Sequence, residues 1–377
     1  MKKIQMVDLK GQYEQIKQTV NDSIQEVLDT NTYINGPQVQ SFKKNLEEYL
    51  GVKHVIPCAN GTDALQIAMM GLDLKTGDEV ITADFTFAAT VEVIALLQLT
   101  PVLVDVDPDT FNISIEAIEK AITPRTKAIV PVHLFGQAAN MDAIMELAQK
   151  HNLYVIEDNA QAIGANYKSA DGSTKKVGTI GHVASTSFFP SKNLGCYGDG
   201  GAIFTNDDEL ANKITGIVNH GMYVRYHHDV VGVNSRLDSI QAAVLNAKLP
   251  KLDQYNEARQ AAAQKYTDAL SGHKNIITPR INGDKDSHVF HQYTLRIVNG
   301  GDRDGLMKHL LDKEIPCAIY YPIPLHSQKA YTSDRYNEAD FPVTKALVNE
   351  VISLPMHTEL DDEQISYITN AILEYLG

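Results

Sequence analysis

Lys192 stands between an aromatic, hydroxyl-bearing run and a glycine-rich one, in S-T-S-F-F-P-S-K-N-L-G-C-Y-G-D-G-G over residues 185–201. Phe188, Phe189 and Pro190 give it an apolar approach. In such surroundings a lysine sheds its proton more readily, and the free amine is the nucleophile that a Schiff base requires. Gly195, Gly198, Gly200 and Gly201 allow tight turns and close approach of another molecule to the backbone. The same letters also describe a surface lysine on a glycine loop, so the neighbours must decide.

Three further positions are candidates. Asn60-Gly61-Thr62 falls between an apolar strand and a helical stretch. Free N–H groups at a helix start, with the helix dipole behind them, suit a phosphate, although Thr62 would serve equally as a plain N-cap. Asp158 and Gln161 follow the apolar run 153–157. A carboxylate there suits the ring nitrogen of a pyridine cofactor, or else caps the next helix. Phe87, after Asp84-Phe85-Thr86, would stack on a flat ring or pack in the core. Taken together the four fit one cofactor, pyridoxal 5'-phosphate. Its phosphate would lie at Gly61 and Thr62 with Ser187 as a further donor, Phe87 over the ring, Asp158 at the ring nitrogen, Gln161 at the ring hydroxyl, and Lys192 as the Schiff-base amine and proton carrier. The order phosphate loop, aromatic, acid, lysine, each after a strand, is far more specific than any one member.

The elements that must hold these residues can be read from periodicity. Amphipathic helices are predicted at 11–30 and 39–49, and strands at 54–58, 79–83, 101–105, 127–132 and 153–157, with helices at 87–98, 114–122 and 140–151 between them. Strand and helix alternating at this interval predict right-handed βαβ units and a mostly parallel sheet. Such sheets bind ligands at the carboxyl ends of their strands. A hairpin with an Asp-Gly turn is expected over 165–181, strands at 183–189 and 201–205, a loop at 219–234, and helices at 208–219, 237–249 and 251–270. Beyond that the pattern is α+β, with strands near 291–298 and 317–320 and helices at 303–313, 343–350 and 361–376. The expected organisation is a large α/β domain over 1–250, whose first helix could pack on a smaller α+β domain over 251–377.

Bulk properties exclude several classes. The 377 residues carry a net charge of −14 with no basic block, which argues against a nucleic-acid footprint. Cys58, Cys196 and Cys317 lie far apart with no zinc spacing, so no metal site and a reducing compartment are expected. Neither a signal-like apolar start nor a run of membrane-spanning length is present, and a cytoplasmic location is expected.

The motifs N-G-T-D-A-L, V-I-E-D-x-A-Q, S-F-F-P-S-K-N-L-G-x-x-G-D-G-G, G-V-N-S-R-L-D-x-x-Q-A-A and Y-P-I-P-L-H, taken from Asp8 to the C-terminus, resemble the DegT/StrS-type nucleotide-sugar aminotransferases. The resemblance implies fold type I of the pyridoxal-phosphate enzymes and a homodimer with shared active sites. It implies that Asn234 reaches the phosphate of the partner's site and that Arg236 lines the sugar pocket across the dimer, unless Arg236 is a structural ion pair. It places Tyr33, Tyr320 and Tyr321 near the substrate; His227 and His228 would contact a diphosphate or cap their loop. It further implies L-glutamate as donor and pyridoxamine 5'-phosphate as the intermediate carrier. The likeness is strongest to enzymes that aminate UDP-2-acetamido-2-deoxy-3-oxo-glucuronate, in surface polysaccharide (O-antigen or capsule) sugar synthesis. Arg236 would then meet the uronate carboxylate in a two-pronged geometry. Two departures stand out. Tyr320 occupies the place where those enzymes have a histidine, and it brings no positive charge at neutral pH. The 165–181 excursion is also longer. The alternatives are a dTDP-linked 3- or 4-keto-6-deoxy sugar as substrate, or a cofactor-binding regulator without turnover.

Overall fold

A computed structural model describes residues 2–377. In chain order its strands are β1 His54–Cys58, β2 Glu79–Ala83, β3 Thr100–Val104, β4 Thr126–Val130, β5 Tyr154–Asp158, β6 Asn166–Lys168, β7 Thr174–Lys176, β8 Val183–Ser187, β9 Gly201–Thr205, β10 Met222–Val224, β11 His227–His228, β12 Ile276–Ile277, β13 Tyr293–Ile297 and β14 Val351–Leu354. Seven of them form one sheet in the order β1-β9-β8-β5-β4-β2-β3. The pairs from β8 through β5, β4 and β2 to β3 are parallel, while β9 runs antiparallel to both its neighbours.

The central strands are apolar on both faces because helices cover both sides. Successive side chains point to opposite faces. Ile81, Ile129 and Val155 accordingly enter one core with Phe85, Phe135 and Met141. Their neighbours Val80, Ala128, Val130 and Ile156 enter the other with Leu65, Ile67 and Met69. A separate cluster unites Tyr266, Leu295, Leu306, Ile352 and Ile368 of the C-terminal part with Ile4 from the start of the chain. The Met356 N–H donates to the Met6 carbonyl at 3.2 Å, tying that start down. The long helix Leu9–Thr30 instead buries Ile16 and Val20 against Val244 and Ala247 of helix Ser239–Lys248.

The structure corrects the expected strand at 317–320. Only Ala318 pairs, with Ser353, and the chain then turns toward the large cavity with Tyr320 and Tyr321. Pro316 and Pro322 on either side cannot donate to a ladder, so the pairing stops at one residue. Ser353 belongs to β14, a four-residue strand between helix Pro342–Glu350 and Pro355 that pairs with β13. The segment expected to be a loop at 219–234 contains the small β10–β11 hairpin.

Candidate active site

A cavity of about 660 Å³ opens at the carboxyl ends of β2, β4, β5 and β8, and its far wall comes from the C-terminal part through His291, Gln292, Ile319, Tyr320 and Tyr321. Gly61, Thr62, Phe87, Asp158, Gln161, Ser187 and Lys192 all line it. These residues are scattered over more than 130 positions of sequence, and the sheet brings them together because each ends or follows a strand.

The helix Gly61–Gly71 is capped by Asn60, whose side chain accepts from the Asp63 N–H at 2.8 Å, and not by Thr62. The N–H groups of Gly61 and Thr62 therefore have no partner among the described residues and are available to an anion. The turn is pressed onto the strands beside it. A Cβ on Gly61 would lie 2.7 Å from Ser187 Cβ, and one on Gly201 would lie 2.4 Å from the Asn60 carbonyl carbon and oxygen. Gly201→Ala is accordingly expected to push the 60–62 turn off β9, to cost ~1–3 kcal/mol of stability and to weaken binding of pyridoxal phosphate. Urea unfolding and equilibrium dialysis check this, and unchanged affinity would mean that the turn has slack.

Phe87 is 58% exposed, standing over the cavity instead of in the core, with its ring centroid 6.3 Å from that of Tyr321. Asp158 is buried. Its Oδ2 accepts from the Thr90 hydroxyl at 2.8 Å and its Oδ1 from the Ala160 N–H at 3.2 Å. Burial pushes its carboxyl above the ordinary range, against the hydrogen bond from Thr90 and the charge of Lys192. Gln161 accepts the Phe135 N–H on Oε1 at 2.7 Å and donates from Nε2 to the Tyr321 hydroxyl at 3.2 Å. Phe135 offers that N–H from a left-handed backbone (φ 57°), uncommon for a bulky residue.

Burial brings the Lys192 ammonium down to about 8, with Asp158 opposing the shift. The next residue fixes the loop: Asn193 Nδ2 donates to Asn256 Oδ1 at 2.8 Å and to the Val289 carbonyl at 2.9 Å. His291 lies across the cavity with Nδ1 buried and without a partner among the described residues. Burial, then Lys192, then Arg259, hold its imidazole well below the usual range, so it is neutral.

A buried pair lies on the other face of β5 from Asp158. His133 accepts the Ala139 N–H on Nδ1 at 3.1 Å and donates from Nε2 to Glu157 at 2.9 Å. Glu157 also receives the N–H groups of Gly178, Ile180 and Gly181, which ties the base of the β6–β7 excursion to β5. Sequence reading missed Thr90, Phe135, His133 and His291 as neighbours of the site. The His133–Glu157 pairing carries no spacing signal, although Glu157 stands in a quoted motif.

Tyr33, His227, His228, Asn234 and Arg236 do not line the cavity of their own chain. They lie on linked segments elsewhere. The Tyr33 carbonyl accepts the Ser239 N–H at 2.9 Å, Asn219 pairs with Asn234, and Arg236 Nη1 donates to Asn219 Oδ1 at 3.2 Å. His227 and His228 are exposed on β11, with His228 Nδ1 2.8 Å from the His220 carbonyl.

Free N–H groups at a helix start, an exposed aromatic, a buried acid, and a buried Thr86 hydroxyl and a Lys192 amine that have no hydrogen-bond partner among the described residues are the complement that pyridoxal phosphate needs. Fold and cavity thus define a fold type I, pyridoxal-phosphate-dependent transferase. Residues 14–373 match the DegT/DnrJ/EryC1/StrS aminotransferase family, and the chain belongs to it. It is 48% identical to the UDP-2-acetamido-2-deoxy-3-oxo-D-glucuronate aminotransferase of Pseudomonas aeruginosa, over 98% of this chain and 99% of that one. It is 46% identical to a pleiotropic regulatory protein of Geobacillus stearothermophilus, over 99% and 98% of the two chains. The crystal structure of S. venezuelae DesV in complex with a ketimine intermediate superposes with a TM-score of 0.94 at 38% identity, covering 100% of this chain and 99% of that one. The protein is an aminotransferase that works with pyridoxal phosphate.

Proposed function

We propose that the protein transfers the amino group of L-glutamate to the 3-keto carbon of UDP-2-acetamido-2-deoxy-3-oxo-glucuronate, as a cytoplasmic homodimer with shared sites, in the synthesis of surface-polysaccharide sugars such as those of O-antigen or capsule. The observation that carries the reading is the convergence of Lys192, Asp158 and the 60–62 turn on one cavity, in a chain 48% identical over nearly its whole length to a relative named for that substrate. Gly61, Thr62 and Ser187, with Asn234 of the partner subunit, would hold the phosphate. Phe87 would cover the ring, Gln161 would meet its hydroxyl and Asp158 would hold its nitrogen protonated. When bound, the cofactor supplies a sink for the electrons released at the donor's α-carbon. Lys192 would anchor it and, as a free amine, would take up the donor's α-proton and later give a proton back, as general base then general acid. The same steps in reverse aminate the sugar, so the kinetics should be ping-pong. Arg236 of the partner subunit, Tyr33, Tyr320, Tyr321, His227 and His228 would surround the nucleotide sugar.

One observation favours a second substrate. Among the described residues of one chain Lys192 is the only lysine or arginine lining the cavity, and Tyr320 adds no charge. A neutral keto-sugar, such as a dTDP-linked 3- or 4-keto-6-deoxy sugar, would need no further cation. The test is to load the protein with pyridoxamine 5'-phosphate and offer UDP-linked uronate, UDP-linked neutral and dTDP-linked 6-deoxy keto-sugars. Conversion of the uronate at least about tenfold faster in kcat/KM, lost on Arg236→Ala, is expected. Preference for a neutral sugar would establish the second reading.

A further inference from the structure

The Asp158 carboxylate is held by two donors of different kinds. One is the backbone N–H of Ala160, two residues along its own chain, at 3.2 Å. The other is the hydroxyl of Thr90, from a different element, at 2.8 Å. Thr90 is 1% exposed and lies in the first turn of helix Ala89–Leu96. A threonine hydroxyl in a helix ordinarily bonds back to its own backbone or faces water. This one instead reaches across to β5. The helix that carries it has no side-chain cap at Ala88, so the hydroxyl is not used for capping either. Thr86, Phe87 and Ala89 of the same segment line the cavity. Five consecutive residues thus supply an aromatic face to the ligand and a hydroxyl to the acid beneath it.

A carboxylate oxygen accepts more than one hydrogen bond. With Thr90 on Oδ2 and Ala160 on Oδ1, each oxygen keeps a lone pair while the carboxylate plane is fixed. We propose that Thr90 is a positioning residue that locks the rotation of the Asp158 carboxylate so that its remaining lone pair meets the protonated ring nitrogen of pyridoxal phosphate. The inference rests on the reading of Asp158 given above. Without the hydroxyl, Asp158 keeps one long hydrogen bond, is free to turn and loses part of what offsets its burial.

The test is a double-mutant cycle read on cofactor affinity of the cofactor-free protein, measured by equilibrium dialysis with pyridoxal phosphate. Thr90→Val removes the hydroxyl at nearly constant shape. A hydrogen bond to a charged group corresponds to a roughly 10–100-fold effect, so Thr90→Val should weaken binding about tenfold or more, and Thr90→Ser should restore most of it. Asp158→Asn should weaken binding too, and adding Thr90→Val to it should change little, because both act through one group. Additive losses would show that Thr90 merely packs, and wild-type affinity in Thr90→Val would overturn the proposal outright. A silent Asp158→Asn would instead remove the ring-nitrogen reading and this inference with it. Circular dichroism of each variant separates these outcomes from misfolding. Should Thr90→Val not fold, Thr90→Cys carries the same expectation as a weaker donor of similar size.

Discussion

Lys192→Met is expected to abolish amino transfer and, at the same time, to make the cofactor-free protein harder to unfold at neutral pH. The two effects share one cause. Burial lowers the ammonium to about 8, whereas an unfolded lysine titrates near ~10.4. Between those values the folded chain binds fewer protons than the unfolded one, so stability rises with pH across the window. Below about 8 both states are protonated and the full cost of burying the charge is felt, at most ~3 kcal/mol. Methionine has similar length and no charge, and removes that cost. The function that the cost sustains is an amine available near neutral pH. Losing a residue that serves as both base and acid, and that anchors the cofactor, should slow both half-reactions by about 10⁴-fold or more. In the wild type, the step that needs the free amine should speed up as pH rises toward 8 and level off above it. Single-turnover assays and thermal unfolding at pH 7 and pH 10 test the pair. Transfer within tenfold of wild type in Lys192→Met would remove the lysine from the mechanism. An unchanged midpoint at pH 7 would mean that the ammonium is solvated.

The cavity was legible in the sequence wherever a residue's role follows from its place after a strand. Gly61, Thr62, Phe87, Asp158, Gln161 and Ser187 each stand at or past the end of a strand, and the parallel sheet points all of them at one crevice. What was illegible depends on contacts between elements. Thr90 looks like any threonine in an apolar helix until β5 is beside it. Glu157 looks like a charge out of place in a buried strand, and makes sense only once His133 and three N–H groups converge on it. Thr62 was the only cap the sequence reading named, and the geometry of the turn gives that place to Asn60. The short β14 was missed because the four residues Val-Ile-Ser-Leu between a helix and a proline are too few to show a period. The expectation at 317–320 failed because its prolines deny it a ladder. His291 entered the cavity wall unannounced because the C-terminal part folds back over the sheet, and no local pattern reports that.

Two inactive variants are expected to restore each other. Asn234 is exposed, and neither it nor Arg236 reaches the cavity of its own chain. In the preceding chain segment Val224, Tyr226 and Val231 are 62%, 76% and 86% exposed, apolar side chains that a lone chain leaves in water. A partner would be expected to cover such side chains. A twofold dimer would cover them with its own copy and carry Asn234 into the neighbouring site. Lys192→Met disables the site that its own chain builds. Asn234→Asp would disable the partner's, by setting a carboxylate against the phosphate, at a loss of roughly 10²-fold or more. In a mixed dimer one site carries both defects and the other carries neither. Random reassortment of equal amounts makes about half the dimers mixed, so about a quarter of all sites should be intact. Mixing after mild denaturation and refolding, with activity followed against the mixing ratio, reads this directly. If Asn234 serves its own chain, no combination contains an intact site and the mixture stays as inactive as its parts. A fully active monomer on a sizing column would sink the shared site by a separate route.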